Sequence, residues 1–242
     1  MASGSGSIPA DPGGHPPSAP TGYDLIAQQL IPGYASLARL SVSLLAASPR
    51  AASPLAAILV AGCGTGAELL EACAQRPDWR LTALDPSATM LHAARLRLDR
   101  AVPGSTGSVQ WLQSTVEDLA VEAGFDGALS VLVLQSLPDD GSKLAFLSSL
   151  ARTLKPGAQL VLVDLMRPER SPLQAQVGEA WQLFQRASGL TGAAEALDAL
   201  SPRLHPIGLA RLSALAEAAG FGDPAPVFQA LDFQGFLLQR RA

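Results

Sequence analysis

Cysteine, lysine, aromatic side chains and long uncharged apolar runs are all scarce in this chain of 242 residues. Cys63 and Cys73 are the only cysteines; with a helix expected between them they lie too far apart to pair, so no disulfide framework holds the fold and a reducing, cytoplasmic compartment is expected. No Cys, His or carboxylate grouping has the spacing of a metal site, and no metal is expected. No eighteen-residue stretch is free of Gly, Pro and charge, and the first residues lack the basic start and apolar run of a secretory signal, so neither membrane insertion nor secretion is expected. Lys143 and Lys155 are the only lysines, the net charge is -4 and aromatics make up 5%. That balance supplies neither a positive field for phosphate backbones or anionic membranes nor a stacking surface, and no nucleic-acid partner is expected.

What the chain does have is apolar content, 48% against 16% charged, enough for one sizeable core. Residues 1–20 are Ser, Gly and Pro with almost nothing to bury, and read as a disordered leader. Residues 21–242 then form a single domain. Leu25, Ile26, Leu30, Ile31, Leu37, Leu40 and Leu44 recur at helical spacing, and Pro32-Gly33 divides the run into two helices. From residue 55 short β-branched or aliphatic runs alternate with amphipathic helices, the pattern of a parallel sheet covered on both faces. Strands are expected at 58–61, 81–84, 109–112, 128–134 and 160–163, and helices at 67–75, 87–100 and 143–154, the last closed by the turn Lys155-Pro156-Gly157. Residues 170–206 interrupt the alternation with helical composition and read as an insertion or lid. A helix at 207–219, ended by Gly220, precedes two runs, 226–231 and 235–239, close enough to pair as an antiparallel hairpin. The fold class is α/β, Rossmann-like.

Ile58-Leu59-Val60-Ala61-Gly62-Cys63-Gly64-Thr65-Gly66-Ala67 reads as strand, glycine loop and helix start, an order that lets backbone approach a ligand closely. Glycines at 62, 64 and 66 depart from the dinucleotide spacing, whose third glycine falls one position later to seat a pyrophosphate, and favour a ligand with an amino-acid tail. Asp85 closes the second strand, where a carboxylate can accept both ribose hydroxyls.

The loop, Asp85-Pro86-Ser87 opening the next helix, Thr115-Val116-Glu117-Asp118-Leu119 after the third strand and Lys155-Pro156-Gly157 before the fifth resemble the class I S-adenosylmethionine-dependent methyltransferases. Within that class the chain is similar to the bacterial carboxy-S-adenosylmethionine synthases and their methyltransferase relatives. That likeness is carried by Ile31-Pro32-Gly33-Tyr34, Phe184-Gln185-Arg186-Ala187-Ser188-Gly189 and Val227-Phe228-Gln229-Ala230-Leu231-Asp232-Phe233. The resemblance implies a seven-stranded, mostly parallel sheet with an antiparallel last strand and S-adenosyl-L-methionine as cofactor. It also implies that Tyr34 touches the cofactor's tail, Gly62, Cys63, Gly64 and Gly66 line it, Asp85 and Pro86 hold the ribose, Thr115 and Val116 flank the adenine and Val131 faces the cofactor. Three positions depart from the class: Val60 stands where an acid precedes the first glycine, Thr115 replaces the adenine-facing acid and Val131 replaces an asparagine. Leu197 occupies the register of the synthases' carboxylate-binding arginine, with Arg203 several residues away. Ordinary methyl transfer to an O or N atom of a small molecule is therefore expected, the alternatives being a cofactor-modifying synthase or a catalytically silent nucleotide-fold module.

Methyl transfer from a sulfonium needs in-line geometry more than a strong base, so a catalytic residue is not obligatory. Candidates at the strand ends and in the insertion are Gln135, Asp139, Asp140, Asp164 and His205, with Gln135 as an orienting group and His205 as a proton acceptor. Asp139 and Asp140 are equally placed to cap the following helix, His92 to be solvated, and Trp181, Leu183, Phe184 and Leu190 to pack or to line a pocket. A homodimer is compatible with this reading.

Overall fold

The run Ala-Ile-Leu-Val-Ala has no polar face, and Leu81 to Leu84 of the following run are all buried; strands of this kind are stable only when both sides of the sheet are covered. A computed structural model, which describes residues 22–104, 108–190 and 204–242, realises that arrangement. The leader at 1–20 and residues Leu197 and Arg203 lie outside the described residues.

Two helices, α1 (Tyr23–Leu30) and α2 (Tyr34–Ala46), precede β1 (Ala57–Ala61), α3 (Ala67–Gln75), β2 (Arg80–Leu84), α4 (Ala88–Ala101) and β3 (Val109–Leu112). The second half runs β4 (Phe125–Val131), a 3-10 turn (Leu134–Ser136), α5 (Ser142–Thr153), β5 (Leu154–Leu165), α6 (Gln174–Ala187), α7 (Leu209–Ala219), β6 (Ala225–Ala230) and β7 (Phe233–Gln239). The seven strands lie in the order β3-β2-β1-β4-β5-β7-β6. All neighbours up to β5 are parallel, while β7 runs antiparallel to both β5 and β6. The expected α/β, Rossmann-like sheet with its reversed last strand is therefore present, and the order reverses between β1 and β4, where ligands of such sheets bind.

One core layer packs α5 and α7 under Leu59, Ala128, Leu160 and Leu162; the other packs α2, α3 and α4 over Ile58, Val60, Leu129 and Val161. In α4, Met90, Leu91, Ala94 and Leu98 are buried while Leu96 is exposed, and the Oγ of Ser87 caps the helix by accepting from the Met90 amide at 3.3 Å.

Two expectations are corrected. The fourth strand is not 128–134: it begins at Phe125 and ends at Val131, because Leu132 takes a left-handed φ of 59° that no strand continues. Lys155-Pro156-Gly157 is no free-standing turn but part of β5, where the register with β4 shifts between Phe125 and Gly127; there Lys155 pairs with Asp126 at 2.7 Å. Of the insertion, α6 ends at Ala187, and its Trp181 donates to the Leu30 carbonyl at 2.7 Å and meets Phe233 edge-on. Leu190 is buried, Phe184 half-buried and Leu183 exposed. Cys63 and Cys73 are not joined in a disulfide. No described helix is long and apolar enough to cross a membrane, and the described residues contain no His, Cys, Asp and Glu group able to hold a metal.

Candidate functional site

The chain leaves β1 through three glycines with φ of 77°, 48° and 84°, conformations that a Cβ strains. At Gly62 a Cβ would lie 2.4 Å from Cγ2 of Val133, and at Gly66 it would press on Ala94 at 3.0 Å. At Gly64 it would meet nothing within 4 Å. Two glycines thus permit backbone packing, while the middle one borders open space.

The loop is fastened before any ligand arrives. The amides of Gly62 and Cys63 both donate to the Leu84 carbonyl, at 2.8 and 2.9 Å, and Gly66 donates to Cys63. The buried carboxylate of Asp85 accepts from the Gly64 amide at 2.8 Å through Oδ2 and from the Ser87 amide at 2.9 Å through Oδ1. A carboxylate accepts at up to about four sites, a chemistry suited to sugar hydroxyls.

Among the other residues expected at the site, Tyr34 is half-buried and donates to Oδ1 of Asp24 at 3.3 Å; burial raises its phenol above the ordinary range. Cys63 is buried and its thiol is likewise raised by desolvation. Pro86 is exposed beside Asp85. Val116 is in the core, whereas Thr115 is exposed and spends its hydroxyl on Asp118 at 2.9 Å. Val60 is buried in the sheet and Val131 half-buried at the end of β4, so neither offers a polar group.

At the ends of β4 and β5 the chain joins residues far apart in sequence. The Gln135 amide donates to Oδ1 of Asp164 at 2.9 Å, and Gln135 Oε1 accepts from the Leu165 amide at 2.8 Å. The Gln135 carbonyl accepts from the His205 amide at 2.7 Å, which brings the two catalytic candidates side by side. Asp164 is 2% exposed, and burial pushes its carboxyl up to about 7 against the pull of the Gln135 amide and Lys143. Lys143 is fully buried under the same turn; its ammonium donates to the Leu134 carbonyl, and desolvation lowers its pKa. Asp140 accepts from the amide and hydroxyl of Ser142 at the start of α5, although the cap position itself is Gly141. Asp139 instead pairs with Arg211 at 2.9 Å, and His92 is exposed.

Sequence patterns did not point to a second group of residues on the outer side of the loop. Asp24 in the first turn of α1 accepts from Thr65 at 3.0 Å and from Arg97 at 2.8 Å, latching α1 to the loop and to α4. Glu68 is buried in the first turn of α3, and burial raises its carboxyl to about 7. Nothing local marks these residues, since each acts across a tertiary contact. Two surface cavities of about 460 and 560 Å³ lie at the opposite end of the sheet, around Arg152, Arg240 and Arg241, and do not touch the loop.

Residues 59–160 match the family model described as a methyltransferase domain. The chain is 36% identical over 137 residues to a ubiquinone biosynthesis O-methyltransferase of Hahella chejuensis, covering 55% of this chain and 53% of that protein. It is 30% identical over 133 residues to an O-methyltransferase of Pyrenophora dematioidea, covering 55% and 48%. The chain thus spans about half the length of the curated relatives it matches. Among solved structures, Burkholderia thailandensis 1,6-didemethyltoxoflavin-N1-methyltransferase with bound 1,6-didemethyltoxoflavin and S-adenosylhomocysteine superposes with a TM-score of 0.61. The identity is 19%, over 93% of this chain and 84% of that one. Human N-acetylserotonin methyltransferase in complex with SAM gives a TM-score of 0.61 at 16% identity, over 92% and 57%. At these identities the two structures speak for the fold.

Proposed function

We propose that this chain, whose residues 59–160 carry a methyltransferase domain set in the fold of the class I S-adenosylmethionine-dependent enzymes, moves a methyl group from S-adenosylmethionine to an oxygen of a small molecule. The observation that carries the reading is the open side of Gly64, with the Asp85 carboxylate bonded to its amide at 2.8 Å. A ligand can lie against bare backbone there while its sugar meets Asp85. Oxygen is preferred over nitrogen because the sequence relatives matched over the same half of the chain are named O-methyltransferases.

The residues present fit this cofactor, with a different division of labour from the class pattern. Gly62, Cys63, Gly64 and Gly66 line the tail, Asp85 and Pro86 receive the ribose, Tyr34 borders the tail, and Val116, Thr115 and Val131 supply contacts without charge. Bound S-adenosylmethionine supplies an electrophilic methyl on a sulfonium. The chain's own contribution is position: the turn at 134–136, held by Asp164, Leu165, Lys143 and His205, fixes the Gln135 amide at the ends of β4 and β5. We assign to His205, whose backbone amide donates to the Gln135 carbonyl, the role of taking the acceptor's proton.

Calorimetric titration with S-adenosylmethionine and S-adenosylhomocysteine tests the reading. Binding of both in the micromolar range is expected; absence of binding for both at high micromolar concentration excludes the enzyme reading. Transfer of labelled methyl to a panel of phenols, enols and amines then tests the choice of oxygen, which labelling confined to amines would refute.

A further inference from the structure

Leu134 and Gln135 share a peptide unit that is held by charge at both ends. Its oxygen accepts from the ammonium of Lys143, in the first turn of α5, and its N–H donates to Oδ1 of Asp164, near the end of β5, at 2.9 Å. In a trans peptide these two groups point in opposite directions, so the cation and the anion stand on opposite sides of one unit. Lys143 is fully buried and Asp164 is 2% exposed.

Buried charges are ordinarily paired directly, because neither ion keeps its water. Among the described residues no carboxylate lies within ion-pair distance of Lys143, and no cation within that distance of Asp164. The second oxygen of Asp164 has no hydrogen-bond partner there either. The two charges meet through the peptide between them. A cation on the oxygen and an anion on the N–H polarise the unit in the same sense, so each bond strengthens the other. Turning the peptide over, the change that separates a type I from a type II turn, would set its oxygen against the carboxylate and its N–H against the ammonium. The pair therefore selects one of two orientations.

That orientation is passed to both neighbours. One residue earlier Val133 stands against Gly62 of the glycine loop. On the other side Gln135 accepts from the Leu165 amide through Oε1 and from the His205 amide through its carbonyl, at 2.8 and 2.7 Å. Resting on the methyl-transfer reading above, we infer that Lys143 and Asp164 are positioning residues for the reaction, acting from the core as a pair through the Leu134–Gln135 peptide to hold Gln135 and His205 in place for the acceptor.

The arrangement costs stability. Burial pushes the Asp164 carboxyl up to about 7 against the pull of the Gln135 amide and Lys143, and desolvation lowers Lys143 against the pull of Asp164 and Asp139. Both ions are kept although neutral groups would be cheaper to bury.

NMR of the full chain at pH 8, where Asp164 is ionised, reads the coupling without any acceptor. Lys143→Met is expected to move the Gln135 amide proton upfield, although Lys143 bonds only to the oxygen of that peptide. Asp164→Asn is expected to move the Leu134 carbonyl carbon upfield, although Asp164 bonds to the N–H. Exchange of the Gln135 and His205 amides should rise about fivefold or more in each variant while the amides within β4 and β5 stay protected, and Lys143→Arg, which keeps the charge, should restore most of the loss. Calorimetry should find S-adenosylhomocysteine bound within about twofold of the parent in both variants, while methyl transfer to the acceptor found by labelling loses about tenfold in kcat. An unmoved Gln135 amide in folded Lys143→Met overturns the pairing, as does an unmoved Leu134 carbonyl in Asp164→Asn, which decides alone if Lys143→Met does not fold. Undiminished kcat with both signals moved overturns the role in the reaction. A parent protein that binds no cofactor or labels no acceptor overturns the methyl-transfer reading and that role with it, and the two shifts then still decide whether the charges act as a pair.

Discussion

Three loop glycines are alike in sequence and different in what they permit. At Gly62 an alanine must displace Val133 from 2.4 Å and hold a φ of 77°, so Gly62→Ala is expected to cost roughly 2–4 kcal/mol of stability in chemical denaturation. Gly64→Ala has open space and a φ of 48°, and is expected to cost only about 1 kcal/mol while abolishing cofactor binding in calorimetry. A stable, tightly binding Gly64→Ala protein would show that the ligand lies elsewhere. Asp85→Ala removes the acceptor of the Gly64 and Ser87 amides together with the proposed ribose acceptor, and should weaken S-adenosylmethionine about tenfold or more. The buried acids act on stability in the opposite sense from a paired surface carboxylate. Because folding raises Asp164 from 3.8 to about 7, its contribution is intact at acid pH and is lost as pH climbs from about 4 through 7. Asp164→Asn keeps a carbonyl for the Gln135 amide and should flatten that decline, with a melting temperature several degrees above the parent at pH 8 and equal to it at pH 4.

At the scale of elements, α1 is the least locally determined piece near the site. Its hold on the loop is Asp24 with Thr65 and Arg97, and its hold on α6 is the Trp181 bond to Leu30. Asp24→Ala is expected to raise amide exchange across residues 23–30 by about tenfold while β1 and β4 stay protected, and to loosen the cofactor in parallel. Exchange raised equally in the central strands would mean that Asp24 supports the whole core instead. This contrast also explains what the sequence made legible. The bounds of α3 and β3 could be read from local pattern because their apolar periodicity and flanking breakers coincide with their ends. The end of β4 could not: Leu132 and Val133 continue the apolar run, and it is the left-handed φ of 59° at Leu132 that turns the chain away. Lys155-Pro156-Gly157 misled in the other direction, since a turn-like triplet is carried inside a strand by a register shift. At the site, the loop and Asp85 were visible because about twenty residues separate them in a fixed supersecondary unit. Asp24, Glu68, Arg97 and Lys143 were not, because their partners are set by tertiary packing.

For the molecule as a whole, the sheet divides the labour between its two ends. The glycine loop and the Gln135–His205 junction share the C-terminal ends of β1, β4 and β5, whereas arginines at the cavities of the other end donate to carbonyls, as Arg152 does to Leu119 and Arg50 to Pro156. Removing residues 1–33 therefore leaves both core layers in place. The truncated protein is expected to unfold in a single cooperative transition at a lower temperature, with cofactor affinity reduced about a hundredfold or more; full affinity would refute the placement of α1 over the site. The span between Leu30 and Trp181 is 151 residues. At typical synthesis rates a ribosome needs about 8–30 s to cross that distance. The Leu30 carbonyl thus waits for α6 to find its donor, and when Trp181 arrives β6 and β7 are still to be made, so α1 can be fastened on both sides before the sheet gains its reversed edge.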